Sequence, residues 1–131
     1  MEFNWIAIIA AGLSSMVLGA IWYAPPVFGK AWQRGAGLSD EQMAGGNPGL
    51  IYGGATLLSL IAAFVFSAFL GPEPEIGFAT GVGAAAGLCW VAAGFGINYL
   101  FERKSLTHWA INGGYHTLQF TLFGAILSLL G

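Results

Sequence analysis

The sequence predicts an all-α, polytopic membrane protein with four transmembrane helices. Hydrophobic residues make up 56% of the 131 positions, and charged residues only 8%. Since an ordinary soluble domain carries about a quarter charged residues, this chain cannot cover a water-facing surface. The composition therefore excludes a soluble enzyme, a nucleic-acid-binding domain and a disordered tail.

The uncharged runs are long enough to cross a bilayer, which needs roughly 20 apolar residues of helix. Prolines and charged residues separate the runs, as at Pro25-Pro26 and at Glu102-Arg103-Lys104. Continuous runs of Ala, Leu and Gly favour helices over the alternating strands of a membrane barrel. The sequence predicts a single transmembrane domain, residues 1–131, with spans at residues 3–23, 49–70, 76–100 and 107–130.

The basic residues predict the orientation of the spans. Lys30 and Arg34 lie in the first loop, and Arg103 and Lys104 lie in the third. Because basic loops remain in the cytoplasm, both termini are expected outside, giving an N-out, C-out arrangement. The acidic residues Glu2, Glu73 and Glu75 then share the outer side.

The segment after the first span has the pattern of an interfacial anchor. Trp22 and Tyr23 are typical of an aromatic belt, and Pro25 ends the span. Phe28 and Trp32, four residues apart among basic residues, predict a short helix in the headgroup region of the first cytoplasmic loop. A binding site is the alternative interpretation of this segment.

Small residues at four-residue spacing predict close helix contacts, because transmembrane helices associate through small residues and polar contacts. Four helices of this length enclose little interior, so part of the small-residue surface is expected to mediate self-association. The sequence predicts a homo-oligomer or a complex with a partner membrane protein, in contact with the lipid bilayer. The packing residues are Gly77, Gly81, Gly83 and Gly87 in the third span and Ala11, Ser15 and Gly19 in the first.

The fourth span carries a polar stripe. Asn112, His116 and Gln119 are spaced to lie on one helical face, Tyr115 is adjacent, and Asn98 of the third span is expected on the same side. In one interpretation His116 contacts a ligand or handles a proton. In the other, these side chains form hydrogen bonds between helices or across an oligomer axis.

Several chemistries lack the residues they need. No Asp, Glu, Lys or Arg lies deep in a span, which disfavours proton-coupled transport. His116 has no nearby carboxylate or second thiol, so neither a metal site nor any other cofactor is expected. The sequence has no paired carboxylates and no local nucleophile–histidine motif, so an enzyme is not predicted. Four basic residues provide no footprint for nucleic acid.

The sequence contains five short motifs that are considered together. They are Asn4-Trp5, residues 19–25 (Gly-Ala-Ile-Trp-Tyr-Ala-Pro), residues 28–32 (Phe-Gly-Lys-Ala-Trp), residues 37–41 (Gly-Leu-Ser-Asp-Glu) and residues 112–116 (Asn-Gly-Gly-Tyr-His). With these motifs the chain resembles a known family, the bacterial small membrane proteins called domain of unknown function 1761. The resemblance covers nearly the whole chain, and the doubled proline at Pro25-Pro26 is a local departure. It implies a four-helix protein of the bacterial inner membrane, and it implies no catalytic residues because the family has no established activity.

Two functions follow as hypotheses. The first is a small non-enzymatic integral membrane protein that acts as a homo-oligomer or as an accessory or scaffold subunit. The second is a minimal channel or carrier for a small neutral or weakly polar solute, which would pass along the polar stripe of the fourth helix.

Overall fold

A computed structural model describes residues 2–131, and these residues form helices joined by short connections, without any strand. The all-α prediction is confirmed. Two short π-helical segments, Pro25–Gly29 and Gly87–Ala92, accompany the α-helices. The α-helices are α1 (Trp5–Trp22), α2 (Lys30–Ala36), α3 (Asp40–Ala44), α4 (Pro48–Leu70), α5 (Ile76–Ala86), α6 (Ala93–Glu102) and α7 (Leu106–Leu129).

Three helical stretches are long and apolar enough to cross a membrane. They are α1, α4 and the continuous rod Ile76–Glu102, in which α5, the second π segment and α6 follow without a break. Helix α7 has 24 residues, a sufficient length, but its polar side chains lower its hydropathy and it falls outside this group. The structure thus gives three candidate spans where the sequence predicts four.

Polar side chains define where the helices begin. Asn4, Asn47 and Ser105 each accept a hydrogen bond from a backbone N–H in the first turn of α1, α4 and α7. The Glu75 carboxylate accepts two, from Gly77 and Phe78, and these bonds hold the pKa of that carboxyl below its usual range. Ser39 and Gln42 form a reciprocal capping box at α3.

Helix α7 lies at the centre of the fold. It packs along the α5–α6 rod and against α1, and α2 covers its first turns. Helix α4 packs mainly on α1 and has few contacts with α7. The buried apolar core lies where α1, α4, the rod and α7 meet, and its members are Ala7, Ile8, Ala11, Ala63, Phe66, Ala86, Phe123 and Leu127.

Glycines allow the rod and α7 to approach to backbone contact. A Cβ added at Gly83 would lie 2.8 Å from the carbonyl carbon of Phe120, and one at Gly87 would lie 2.6 Å from the Cα of Thr117. From the other side, a Cβ at Gly124 would meet the carbonyl group of Ala79. Gly83 and Gly87, two of the predicted packing residues, therefore pack against α7 of the same chain.

The other two predicted packing glycines of the rod, Gly77 and Gly81, contact no other helix. A Cβ added at Gly81 would have no neighbour within 4 Å, and one at Gly77 would touch only its own capping residue, Glu75. Both glycines and Ala85, the next residue at this spacing, are exposed. We call these three residues the uncovered glycine face.

The small-residue stripe of α1 faces two different helices. Ala11 and Ser15 are buried, with exposed fractions of 0% and 1%. A Cβ added at Gly19 would lie 3.7 Å from the Tyr115 ring of α7. Gly12, beside this stripe, meets Leu60 of α4, so α1 lies between α4 and α7.

The two ends of the bundle differ in charge. At one end the chain termini meet, since Asn4 Nδ2 donates to the Leu130 carbonyl oxygen over 2.7 Å. Glu2 and Glu73 lie at this end, beside Gly131. At the other end Lys104 Nζ donates to the carbonyl oxygen of Gly35 in α2 over 3.4 Å, which joins the two basic loops.

Candidate functional site

The polar residues of α7 separate into two clusters. Near the first turns of α7, the inner cluster comprises Tyr23, Tyr99, His108 and Asn112. Further along the helix, the central cluster comprises Ser15, Tyr115, His116 and Gln119. The predicted stripe is therefore divided, with Asn112 in one cluster and His116 and Gln119 in the other.

Asn112 is the centre of the inner cluster. Its Oδ1 accepts a hydrogen bond from the Tyr23 hydroxyl over 2.6 Å, and its Nδ2 donates to the Tyr99 hydroxyl over 2.8 Å. The same Nδ2 lies 3.4 Å from His108 Nε2. This side chain links α1, the rod and α7 at one point, as polar contacts between membrane helices do.

Helix α2 covers the inner cluster. A Cβ added at Gly35 would lie 2.8 Å from the Cβ and Cγ of His108, so the α2 backbone lies directly on the imidazole. His108 is 4% exposed, and its Nδ1 has no hydrogen-bond partner in the described part of the chain. The first loop therefore packs on the first turns of α7, whereas the sequence predicts only a helix in the headgroup region.

The central cluster is a directional chain of hydrogen bonds. Gln119 Nε2 donates to Ser15 Oγ over 2.8 Å, so the other Gln119 amide atom, Oε1, faces His116 Nδ1 at 2.7 Å. An amide oxygen can only accept, so this His116 nitrogen carries the proton and Nε2 is left as an acceptor. The ring of His116 stacks on Phe95, with centroids 5.1 Å apart and planes 12° apart.

Tyr115 joins the central cluster to α1. Its hydroxyl donates to the Ser15 backbone carbonyl over 2.8 Å, while its ring lies 5.4 Å from that of Tyr23. Ser15, predicted as a packing residue, thus accepts hydrogen bonds from two residues of α7. Local sequence does not indicate this role, because the two partners lie 100 and 104 positions away.

The predicted interfacial anchors make contacts within the bundle. Trp22 Nε1 donates to the Ile111 carbonyl oxygen over 2.9 Å, and Tyr23 bonds Asn112. Pro25 begins the first π segment, Phe28 lies 4.7 Å from the Trp22 ring, and Trp32 meets Tyr23 edge-on at 5.8 Å. The end of α1 therefore docks on the Asn-Gly-Gly-Tyr-His segment of α7 and on the residue before it, while Phe28 and Trp32 pack on the docked rings.

Asn98 does not join either cluster. It is exposed and its side chain makes no hydrogen bond within residues 2–131, whereas the hydroxyl of the neighbouring Tyr99 accepts a hydrogen bond from Asn112. The second π segment explains the difference, because its wider turn advances the inward face of the rod by one residue. In a regular α-helix, Asn98 would lie about three turns after Gly87 and on the same face, the face that contacts α7.

An open groove of about 400 Å³ lies beside the central cluster. Helix α4 forms one wall, α7 forms the floor and Val91 of the second π segment forms part of the opposite wall. Most of the lining is apolar, while His116, Gln119, Tyr115 and Ser59 contribute polar atoms. The other lining residues are Ala55, Leu58, Ala62 and Phe120.

The described residues contain no group of three His, Cys, Asp or Glu side chains placed to hold a metal ion. Cys89 is exposed, and the two histidines belong to separate clusters. The polar atoms of the site can accept hydrogen bonds from a neutral molecule or donate hydrogen bonds to it.

The family model for Protein of unknown function (DUF1761) matches residues 6–128, nearly the entire chain. The chain belongs to this family. The match includes both docking segments described above, residues 19–25 of α1 and its connection and residues 112–116 of α7. Neither a curated protein nor a solved structure matches this DUF1761 chain.

Proposed function

We propose that the chain is a four-span protein of the bacterial inner membrane, with both termini outside. Helix α7 has 24 residues, within the range of 18 to 27 residues of the three candidate spans, and it packs between α1 and the rod. Its first turns lie against the basic loops, and its last residue lies beside the N-terminus. A helix that packs against two candidate spans and reaches both ends of the bundle is expected to cross the membrane with them. The side chains of Asn112, Tyr115 and Gln119 on α7 form hydrogen bonds to other helices inside the bundle, as the bilayer favours.

The orientation is tested by labelling a cysteine at Glu73, in a Cys89→Ala background. Glu73 is exposed at the end of the bundle that holds the termini. A membrane-impermeant maleimide is expected to label it in intact cells, whereas a cysteine at Arg103 should react only after lysis. The opposite pattern would reverse the orientation, and equal labelling of both positions in intact cells would contradict it.

In this membrane, we propose that the protein is not an enzyme and acts as a homo-oligomer joined through the uncovered glycine face. The alternative is an accessory subunit that docks on a partner protein through that face. The uncovered glycine face carries this proposal. Lipid chains do not fill the shallow surface left by Gly77, Gly81 and Ala85 as closely as a second helix does. The same rod already uses Gly83 and Gly87 to hold α7 at backbone distance.

Cysteine crosslinking in native membranes tests this interface. In a Cys89→Ala background, Gly81→Cys is expected to form a disulfide-linked dimer on mild oxidation. Val17→Cys is the matched control, because this residue of α1 is 63% exposed and lies on no small-residue face. Equal crosslinking at the two positions would indicate random collision and would contradict the proposed interface.

The groove favours a second candidate, a carrier for a small neutral or weakly polar solute. His116 and Gln119 line the groove and would contact the solute, while Asn112 is fully engaged by its neighbours. Replacing His116 with Leu separates the candidates. A carrier loses solute flux with its assembly intact, whereas a purely structural cluster loses thermal stability.

A further inference from the structure

We propose that the groove between α4 and α7 binds a neutral, bilayer-soluble molecule with an apolar body and one hydroxyl group, an alcohol or a phenol. The inference does not depend on self-association, and it gives the second candidate function a ligand class. It rests on four properties of the groove, namely a fixed hydrogen-bond acceptor, an unpartnered hydroxyl, an apolar lining without charged residues, and a short length.

The first property is that the groove provides a fixed acceptor. Gln119 holds the proton of His116 on Nδ1, and Ser15 holds the Gln119 amide in turn. His116 Nε2 has no partner among residues 2–131, and stacking on Phe95 keeps the ring in place. The acceptor is thus oriented before a ligand arrives, which reduces the ordering cost of binding.

The second property is an unpartnered hydroxyl on the wall formed by α4. Ser59 of α4 is only 8% exposed, yet its hydroxyl has no hydrogen-bond partner in the described chain. A ligand hydroxyl both donates and accepts, so it can donate to His116 Nε2 and accept from Ser59. An ether or a ketone cannot donate, and a hydrocarbon satisfies neither protein group.

The groove also excludes charged ligands. No Asp, Glu, Lys or Arg lines it, and His116 lies ten residues into α7, so a charge there would lie far from water without a counter-ion. The remaining walls are Ala, Leu, Val and Phe side chains. These contacts suit an apolar body that partitions from the bilayer.

The length of the groove excludes a partner helix. On α4 the lining extends from Ala55 to Ala62, which is about 10 Å of helix at 1.5 Å per residue. A transmembrane partner would need a groove along most of the roughly 30 Å hydrocarbon thickness. A volume of about 400 Å³ lies within the range of small-molecule sites.

Histidine NMR tests the proposal directly, because the chain has only two histidines. Protein labelled with ¹⁵N-histidine in phosphatidylcholine nanodiscs is titrated with 4-octylphenol. A second titration uses 4-octylanisole, which has the same apolar body but no hydroxyl proton, and 1-decanol distinguishes aliphatic from aromatic hydroxyls. The phenol or the alcohol is expected to shift the His116 Nε2 resonance saturably, and the anisole is not.

Two variants assign the contacts. Ser59→Ala is expected to raise the dissociation constant of the hydroxyl probe about tenfold, because one buried hydrogen bond is lost. His108→Phe assigns the remaining resonances to His116. Equal shifts with 4-octylphenol and 4-octylanisole, or no saturable shift of His116 with either hydroxyl probe, would overturn the proposal. A crosslinking failure at Gly81 would leave these results unchanged, so the two proposals fail separately.

Discussion

Replacing Gly83 with Ala is expected to lower the free energy of unfolding by about 2 kcal/mol, although alanine is the better helix former. The new methyl group would lie 2.8 Å from the Phe120 carbonyl carbon and 3.1 Å from the Thr121 Cα. Both are backbone atoms of α7, so relief requires the two helices to move apart. Steric trapping in dilute mixed micelles measures the change.

The matched control for this variant is Gly81→Ala, half a turn away on the same helix. A Cβ there meets nothing within 4 Å, so stability should stay level or rise by up to about 1 kcal/mol through helix propensity. Only the Gly83 variant is therefore expected to lose stability. Equal effects would contradict the close contact between α5 and α7.

Replacing Asn112 with Leu is expected to cost about 2 kcal/mol of stability. The change removes the partner of the Tyr23 hydroxyl, the Tyr99 hydroxyl and His108 Nε2 at once. Each hydrogen bond between membrane helices is worth about 0.6 kcal/mol on average, and unpaired groups left in an apolar interior add to the loss. The same unfolding measurement gives the value.

Asn98→Leu is the control for the inner cluster. Asn98 is exposed on α6 and has no hydrogen bond in the described residues, so its replacement should change stability by less than about 0.5 kcal/mol. If the Asn98 variant proves as destabilised as the Asn112 variant, the change reflects hydropathy alone, and Asn112 is not the centre of the cluster.

Much of the fold can be predicted from local sequence. The uncharged runs and the prolines place the helix bounds within a few residues, because bilayer thickness and backbone satisfaction constrain each run by itself. The Ser39–Gln42 capping box is likewise local, because it joins residues only three positions apart. Such features need no knowledge of a partner helix.

The candidate site depends on contacts that the local pattern does not contain. Trp22 and Tyr23 have the composition of an aromatic belt, yet their polar atoms bond α7 residues 89 positions away. The second π segment adds a further difficulty, because regular spacing selects Asn98 where the structure uses Tyr99. A glycine pattern predicts close packing, but it does not indicate that Gly83 faces α7 while Gly81 faces outward.

We propose above all that the uncovered glycine face joins copies of the chain in the membrane. Native mass spectrometry of the protein released from nanodiscs tests it most directly, with Gly81→Leu as the variant. We expect a defined oligomer for the natural chain and a monomer for the variant, since leucine prevents backbone approach on this face. A natural chain that is released as a monomer, with no partner protein, would contradict the claim.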